Sequence, residues 1–330
     1  FYHFSVGKKD CSLYSCFHAP RILYSVIICF HDSMKIGRQT TIAKFFTFIF
    51  ICGKVKVKNY TYWSEMMGHY EALFLDVDGT ILTPEDTIQP STKKAVVKAK
   101  KHGMEVFLAT GRPLHEISWL MDELEIESAI GYNGTLAVYR GKNLFKTVMD
   151  PKIVDKFIGI AEKHGHEVVL YTDRQNFITS FDVPEVKSFI KKIHLRQNAP
   201  FTPAVLDQVL GITLVNVRGN GAALYADLPG LHLSQVNIDG FRHCYDVILD
   251  KVNKGMAVAK TLDILGIPKE KAVAFGDGMN DKEMLEAVGE SFAMANSNPG
   301  LFAYAKHRTT SVTESGIYHG LEMLGVIDQA

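Results

Sequence analysis

Cysteine is scarce in the main body of this chain. Of five in 330 residues, Cys11, Cys16, Cys29 and Cys52 fall among the first 65, and only Cys244 lies beyond. No CxxC pair and no Cys/His ligand spacing occurs, which speaks against a zinc site. A lone cysteine rules out a disulfide framework for the rest and fits a reducing cytoplasm. A surplus of charge is also missing. The 36 Lys/Arg match 36 Asp/Glu, so bulk nucleic-acid binding has no support. Long apolar runs are absent too. The two apolar clusters, Ile22 to Phe30 and Phe45 to Cys52, fall short of the ~20 residues of a bilayer span, and no membrane partner is expected. There is no internal repeat and no low-complexity segment. What remains is an ordinary globular composition, 47% hydrophobic and 22% charged, in a length that has room for two domains.

The averages conceal an uneven start. Residues 1–65 hold nine Lys/Arg and three Asp/Glu, net +6, which leaves the remainder at net −6. Lys35, Arg38 and Lys44 precede the second apolar cluster as in a signal peptide, but far from the N-terminus and without a small-residue cleavage site. Met66 and Met67 stand just before the first well-patterned strand. Residues 1–65 therefore read as a leader outside the fold, upstream of a natural start at Met66; a membrane-anchoring leader is the alternative. Peptides from upstream of Met66 in the native protein would overturn the start-site reading.

The stretch that organises the rest runs from Ala72 to Thr80. Ala72 to Leu75 is an apolar run of the kind buried in a parallel sheet. It breaks into Asp76-Val77-Asp78-Gly79-Thr80. Two carboxylates one residue apart at a strand end crowd negative charge into a small volume, and a hard cation such as Mg²⁺ is their natural partner. Gly79 permits a sharp exit. The same residues also fit a strand followed by an Asp-Gly turn.

From Tyr70 the pattern alternates strand and helix. Pro90 opens a helix closed by His102-Gly103, and Met104 to Ala109 is a second buried strand ending in Thr110-Gly111-Arg112. Pro113 begins one helix, with Leu114, Ile117, Leu120, Met121 and Leu124 as its core face. Ala129 to Tyr132 is a third strand, followed by Asn133. A hairpin, Thr135 to Tyr139 and Leu144 to Met149, turns through Arg140 to Asn143. From Pro151 to about residue 250 the texture changes to locally pairing strands with helices between, an α+β insert. The first texture then returns. Gly255 to Leu265 is a helix, and Lys271 to Phe275 a buried strand ending in Gly276-Asp277-Gly278-Met279-Asn280-Asp281. Ser291 to Ala295 and a helix from Gly316 close the chain. The expected class is α/β: a Rossmann-like, doubly wound parallel-sheet core of residues 66–150 and 251–330, with an inserted α+β cap domain at 151–250.

Four places deliver chemistry-bearing residues to strand ends or helix starts: Asp76/Asp78, Thr110, Lys254 and Asp277/Asn280/Asp281. A doubly wound sheet gathers such ends along one edge. Phosphoryl transfer needs such a set: a carboxylate nucleophile, a second carboxylate for proton transfer, a hydroxyl and an ammonium for the phosphate oxygens, and acids for a metal. Alone, Thr110-Gly111-Arg112 fits a strand-to-helix turn, and Lys254 a solvated helix start. In this order they point to one site.

The chain resembles the haloacid dehalogenase superfamily, specifically its Cof-type (subclass IIB) phosphatases, in which the cap is inserted after the third core strand. The resemblance rests on Asp76-Val77-Asp78-Gly79-Thr80, Thr110-Gly111-Arg112, Asn253-Lys254-Gly255 and Gly276 to Asp281, and runs from about Tyr70 to Ile327. It is loose in the cap. It implies that Asp76 is the nucleophile and that Asp78 is the general acid/base and lends its backbone carbonyl to the metal. Thr110 and Lys254 would hold the phosphoryl group. Asp277 would complete a Mg²⁺ site with Asp76, supported by Asp281 and Asn280. Gly111, Arg112 and Asn133 would lie near the substrate. Tyr304 to His307 is more basic than the resemblance leads one to expect. The histidines beyond residue 70 match no motif and read as ordinary surface or core residues.

The expected activity is that of a cytoplasmic, Mg²⁺-dependent phosphatase. Its substrate would be a small phosphorylated metabolite, a sugar phosphate or similar phosphomonoester, cleaved through an aspartyl-phosphate. Selectivity is expected from cap loops around Asp173 to Asn176 and from Arg218. The alternatives are a phosphomutase of the same superfamily and a non-enzymatic, phosphate-accepting regulatory module. Cys244 is expected to be buried and inert.

Overall fold

The computed structural model describes residues 70–327 except 227 and 237, together with four short strands nearer the N-terminus. The chain divides into two units, residues 1–66 and 67–330. In the first, Tyr2–Val6 pairs with Lys9–Leu13 and Phe48–Ile51 with Lys54–Val57, both antiparallel. Four residues of the second apolar cluster are thus strand. The cluster Ile22 to Phe30 and the start-site reading at Met66 and Met67 lie outside the described residues.

In the second unit the chain first lays down β1 (Ala72–Leu75), β2 (Glu105–Ala109), β3 (Ser128–Gly131), β4 (Leu136–Tyr139) and β5 (Lys142–Lys146). An insert follows with β6 (Glu167–Tyr171), β7 (Asn176–Ile178), β8 (Asn198–Pro200), β9 (Gly211–Val215), β10 (Leu231–Gln235) and β11 (Tyr245–Leu249). The chain then returns with β12 (Ala272–Gly276), β13 (Glu290–Ala293) and β14 (His307–Arg308). Helices are α1 (Pro90–Lys101), α2 (Ser118–Glu123), α3 (Pro151–His164), α4 (Pro184–Lys192), α5 (Lys254–Leu265), α6 (Lys282–Glu286) and α7 (Gly316–Met323).

The main sheet has the order β14-β13-β12-β1-β2-β3-β4-β5. Pairing is parallel from β14 through β3 and antiparallel in the β3-β4-β5 meander. Leu73 and Leu75 of β1 pack with Val96 of α1 and Ile317 and Leu321 of α7. Ala72 and Phe74 pack on the other face with Val258 and Leu262 of α5 and Met284 of α6. Both faces are covered, which is why β1 is apolar without alternation. The first half of the chain winds away from β1 through β2 and β3, and the second half through β12 and β13. β1 and β12 therefore flank the point where the winding reverses, and a crevice opens beyond their carboxyl ends.

The insert, which starts after β5, forms a second sheet, β8-β7-β6-β9-β11-β10. Strands alternate between its faces: Val168, Leu170, Ile212 and Leu214 bury against Phe157 of α3, while Val169, Val215 and Cys244 bury against Val186 and Phe189 of α4. Cys244 is fully buried, and burial pushes its thiol up to about 12, so it stays protonated and unreactive at neutral pH.

Two local expectations need correction, and one strand went unread. The helix expected from Pro113 to Leu124 is two pieces, a 3₁₀ turn Leu114–Glu116 and α2, broken at Ile117 (φ −108°, ψ 11°). Its apolar face still buries Leu114, Ile117, Leu120 and Leu124, but the break turns His115 and Glu116 toward the insert. The hairpin turns through Arg140 and Gly141 alone, both in the left-handed region (φ 48° and 73°), as a two-residue hairpin turn requires, and β5 ends at Lys146. The three-residue edge strand β8 carries no alternating apolar signal and ends in proline, which an edge tolerates. The basic stretch near Tyr304 is answered locally: Lys306 and His307 both pair with Glu290.

Candidate active site

The chain leaves β1 hydrogen-bonded to its neighbour, Asp76 N donating to Phe275 O (3.0 Å). It then turns tightly, with Ile81 N and Leu82 N both donating to Val77 O. Gly79 sits in this turn at φ +82°, and a Cβ on it would lie 2.3 Å from Asp277 Oδ2. Both backbone angle and space demand glycine. The next residue, Thr80, donates from its hydroxyl to Asp277 Oδ1 (2.9 Å) and so ties the β1 exit to the β12 exit. We expect Gly79→Ala to displace Asp277 and to lower metal affinity at least tenfold, read by calorimetric Mg²⁺ titration.

Past β12 the backbone folds around Asp281, whose Oδ2 accepts from Asp277 N (3.0 Å) and Gly278 N (2.9 Å). Lys254 is the first residue of α5, whose N-cap Asn253 accepts from Met256 N (2.8 Å). Its side chain is 1% exposed. The ammonium donates to Asp76 Oδ1 (2.5 Å) and to Asp281 Oδ1 (2.6 Å).

Asp76, Asp277 and Asp281 each bring a carboxylate oxygen within 4.8 Å of the others. Three carboxylates against one ammonium leave two negative charges in a mostly buried space. Burial, and then the nearby Asp281, hold the Asp76 carboxyl well above the ordinary range despite the attraction of Lys254. Burial also pushes Asp277 up to about 6, against the hydrogen bond from Thr80. Burial would lower the Lys254 ammonium, but Asp281 and Asp76 outweigh it, and its pKa rises. A divalent cation with a preference for oxygen ligands fits this donor set and its charge.

The other expected residues surround this cluster. Asp78 is exposed, and Arg112 grips it with both arms of its guanidinium, Nε on Oδ2 (2.9 Å) and Nη2 on Oδ1. Thr110 is fully buried, with Oγ1 accepting from Arg112 N (3.0 Å). Asn133, at φ 52°, faces Gly111 and accepts from Asn280 Nδ2 (3.1 Å). A cavity of about 720 Å³ opens over Asp76 and is walled by Asp78, Gly111, Arg112, Asn133, Gly278 and Asn280. Thr110, Lys254, Asp277 and Asp281 do not line it.

The loop residues expected to set selectivity serve other contacts. Asp173 is bound by Lys146 (2.9 Å), and Arg218 by Glu185 (2.6 Å); neither lines the cavity. Asn176 is fully buried in a seam between insert and core. It donates to Glu116 Oε1 (2.6 Å) and bonds His115 Nε2 (2.9 Å), while Glu116 also accepts from Arg196 N and Gln197 N. Tyr132 donates to Thr172 O (2.5 Å) across the same seam. Burial lowers the pKa of His115, which favours its neutral form. These residues carry no motif, and His115 and Glu116 fall between the apolar positions Leu114 and Ile117, on the face that helical spacing gives to solvent. Removing the carboxylate in Glu116→Ala strands three donors and should cost about 1–3 kcal/mol in denaturant unfolding.

Comparison with known proteins places these features in a wider group. The sequence model of the family described as haloacid dehalogenase-like hydrolase matches residues 73–321. YkrA of Bacillus subtilis (strain 168) is 29% identical over 257 residues, covering 77% of this chain and 98% of YkrA. The 5-amino-6-(5-phospho-D-ribitylamino)uracil phosphatase YitU of the same organism is 27% identical over 258 residues, covering 74% and 93%. Among solved structures, a hypothetical protein from Geobacillus kaustophilus HTA426 aligns with a TM-score of 0.72 at 28% identity, covering 78% of this chain and 100% of that one.

Proposed function

From the premise that the chain belongs to the haloacid dehalogenase-like hydrolase family, we propose that this phosphatase is magnesium-dependent. It cleaves a small phosphomonoester through an aspartyl-phosphate on Asp76. The observation that carries the reading is the Asp76, Lys254, Asp277 and Asp281 cluster at the reversal point of the sheet, with Asp76 open to the cavity.

In this reading Asp76 attacks phosphorus and expels the leaving oxygen, and water later hydrolyses the acyl phosphate. Lys254 holds Asp76 by Oδ1, which fixes the attacking carboxylate in place. Asp78, at the exposed rim, gives a proton to the leaving group and takes one from water. Its grip by Arg112 orients it toward the mouth. Thr110, whose hydroxyl oxygen already accepts from Arg112 N, keeps its own proton to donate to a phosphate oxygen. Asp76, the Asp78 carbonyl and Asp277 would hold magnesium, with Asp281 behind them. The ion, when bound, offsets the repulsion between carboxylate and phosphate. Gly111, Asn133 and Asn280 would border the phosphate or its leaving group. The name of YitU specifies a phosphorylated ribityl compound, and by that likeness the substrate class proposed here is sugar and polyol phosphomonoesters. The proposed setting is the cytoplasm, in keeping with the free, buried Cys244. Among the described residues no helix is long and apolar enough to cross a membrane.

The test is phosphate release from a generic aryl phosphate, expected with Mg²⁺ and abolished by chelation. Transfer within a sugar without net release would select the mutase reading instead. A pH test addresses the metal separately. Without metal, the folded chain keeps protons on Asp76 and Asp277 that the unfolded chain has lost above about pH 4. Stability from these groups therefore falls as pH rises above about 4, for Asp277 through about 6. Magnesium must displace those protons at low pH. The rise in Tm on adding MgCl₂ should be larger at pH 8 than at pH 5; equal rises would contradict the assigned ligands.

A further inference from the structure

The far wall of the cavity belongs to the insert. One face of its sheet is covered by α4 only in part. Val169, Val215 and Cys244 lie beneath the helix, while Tyr171, Thr213 and Asp246, on the same face, continue into the cavity. These three are linked. Tyr171 and Thr213 share a hydrogen bond between hydroxyls (2.9 Å), and Thr213 Oγ1 donates to Asp246 Oδ1 (2.6 Å). Strand pairing sets the link, since Thr213 stands directly opposite Asp246 across β9 and β11. The Thr213 proton is thereby committed to Asp246, so the Tyr171 hydroxyl is the donor to Thr213. Among the described residues Asp246 accepts no other side-chain hydrogen bond, and Oδ2 is left without a partner.

A carboxylate oxygen in a partly desolvated wall is costly unless a donor reaches it. Glu116, also in the wall, is engaged by the seam, and Asp86, on the core side, stands 3.7 Å from Arg112 and 3.9 Å from His194. Asp246 is the acid that the insert brings to the cavity, and its Oδ2 has capacity to spare. Hydroxyl groups are neutral donors that a carboxylate oxygen accepts, and Lys192 in the same lining offsets part of its negative charge. Phe189, Ile238 and Val236 border the trio and suit a carbon skeleton.

Resting on the phosphatase reading above, we propose that Asp246, held by Thr213 and Tyr171, is a specificity-determining residue that accepts hydrogen bonds from the hydroxyl groups of a polyhydroxylated leaving group. The cavity then divides in two. Asp76 takes the phosphate at one end, and Asp246 reads hydroxyls at the other. Selectivity comes from a strand face rather than from the loops at Asp173 to Asn176, which the seam immobilises.

The experiment compares kcat/KM for three phosphomonoesters: ribitol 5-phosphate, glucose 6-phosphate and n-pentyl phosphate, which lacks hydroxyls. Wild type should prefer at least one hydroxylated substrate over the alkyl one by tenfold or more; which one distinguishes an open polyol from a sugar ring. Asp246→Asn keeps the shape and should reduce that ratio at least tenfold, mostly through KM. Thr213→Val should reduce it in the same direction, and Arg218→Ala, outside the cavity, should leave it unchanged. Thermal unfolding of each variant separates misfolding from lost recognition. No preference in wild type, or an undiminished ratio in Asp246→Asn, overturns the inference while leaving the phosphatase reading intact. Absence of phosphate release from all three and from an aryl phosphate overturns the phosphatase reading and this inference with it.

Discussion

Asp76→Asn is expected to lower phosphate release at least about 10³-fold without unfolding the chain. An amide oxygen is a poor nucleophile and cannot form the acyl phosphate, whatever else the site retains. The effect on stability should have the opposite sign. Asp76 is buried among two other carboxylates, and burial together with Asp281 disfavours its charged form. Replacing it removes a carboxyl whose charged form the site disfavours, while Lys254 keeps its bond to Asp281. The metal-free variant should therefore melt no lower than the parent, and its gain in Tm on adding Mg²⁺ should shrink. Retained turnover would dismiss Asp76 as nucleophile. A large fall in Tm of the metal-free variant would dismiss the charge argument.

Lys254→Met should be the more disruptive change. Its ammonium is the only cation shown bonded to the acidic cluster among the described residues, and it holds Asp76 and Asp281 at once. Methionine matches the stem but leaves three carboxylates facing one another. Breaking a buried pair in this way costs about 3–5 kcal/mol, measured by denaturant unfolding in the presence of chelator. Added Mg²⁺ should recover part of the loss, because binding to the folded state alone shifts the equilibrium toward it. Activity should fall about 10²-fold or more even with the metal present, since the attacking carboxylate is no longer held. Lys254→Arg should restore little. A guanidinium is planar and wide, and α6 closes on the α5 start so tightly that a Cβ at Gly255 would lie 2.3 Å from the Glu283 backbone. A variant with parental stability in chelator would mean that Lys254 does not balance these acids.

Much of the site could be read from the chain, for a definite reason. Buried parallel strands must be apolar throughout, so the point where Leu75 gives way to Asp76, or Phe275 and Gly276 to Asp277, is visible without any structure. The glycines are legible for a related reason. Gly79 and Gly276 stand where a side chain would collide with Asp277 or Asp281. Helix starts were equally plain where Pro90 or Asn253 marks them. The helix break at Ile117 was hidden because Leu114, Ile117, Leu120 and Leu124 keep helical spacing through it. The cause is a polar seam with residues far away in the chain, and periodicity does not register such partners.

By itself, then, the sequence determined the class of fold, the strand ends that carry acids, and the glycines that turn beside them. Each of these follows from local chemistry: solvent aversion, backbone angles and charge. Tertiary structure decided which distant residues meet. It brought Thr80 to Asp277, committed Asn176 and Glu116 to the seam, and set Thr213 beside Asp246 on a strand face that looks into the cavity. Those contacts depend on strand register and on how the inserted sheet lies over the core, and neither is encoded within any single stretch of chain.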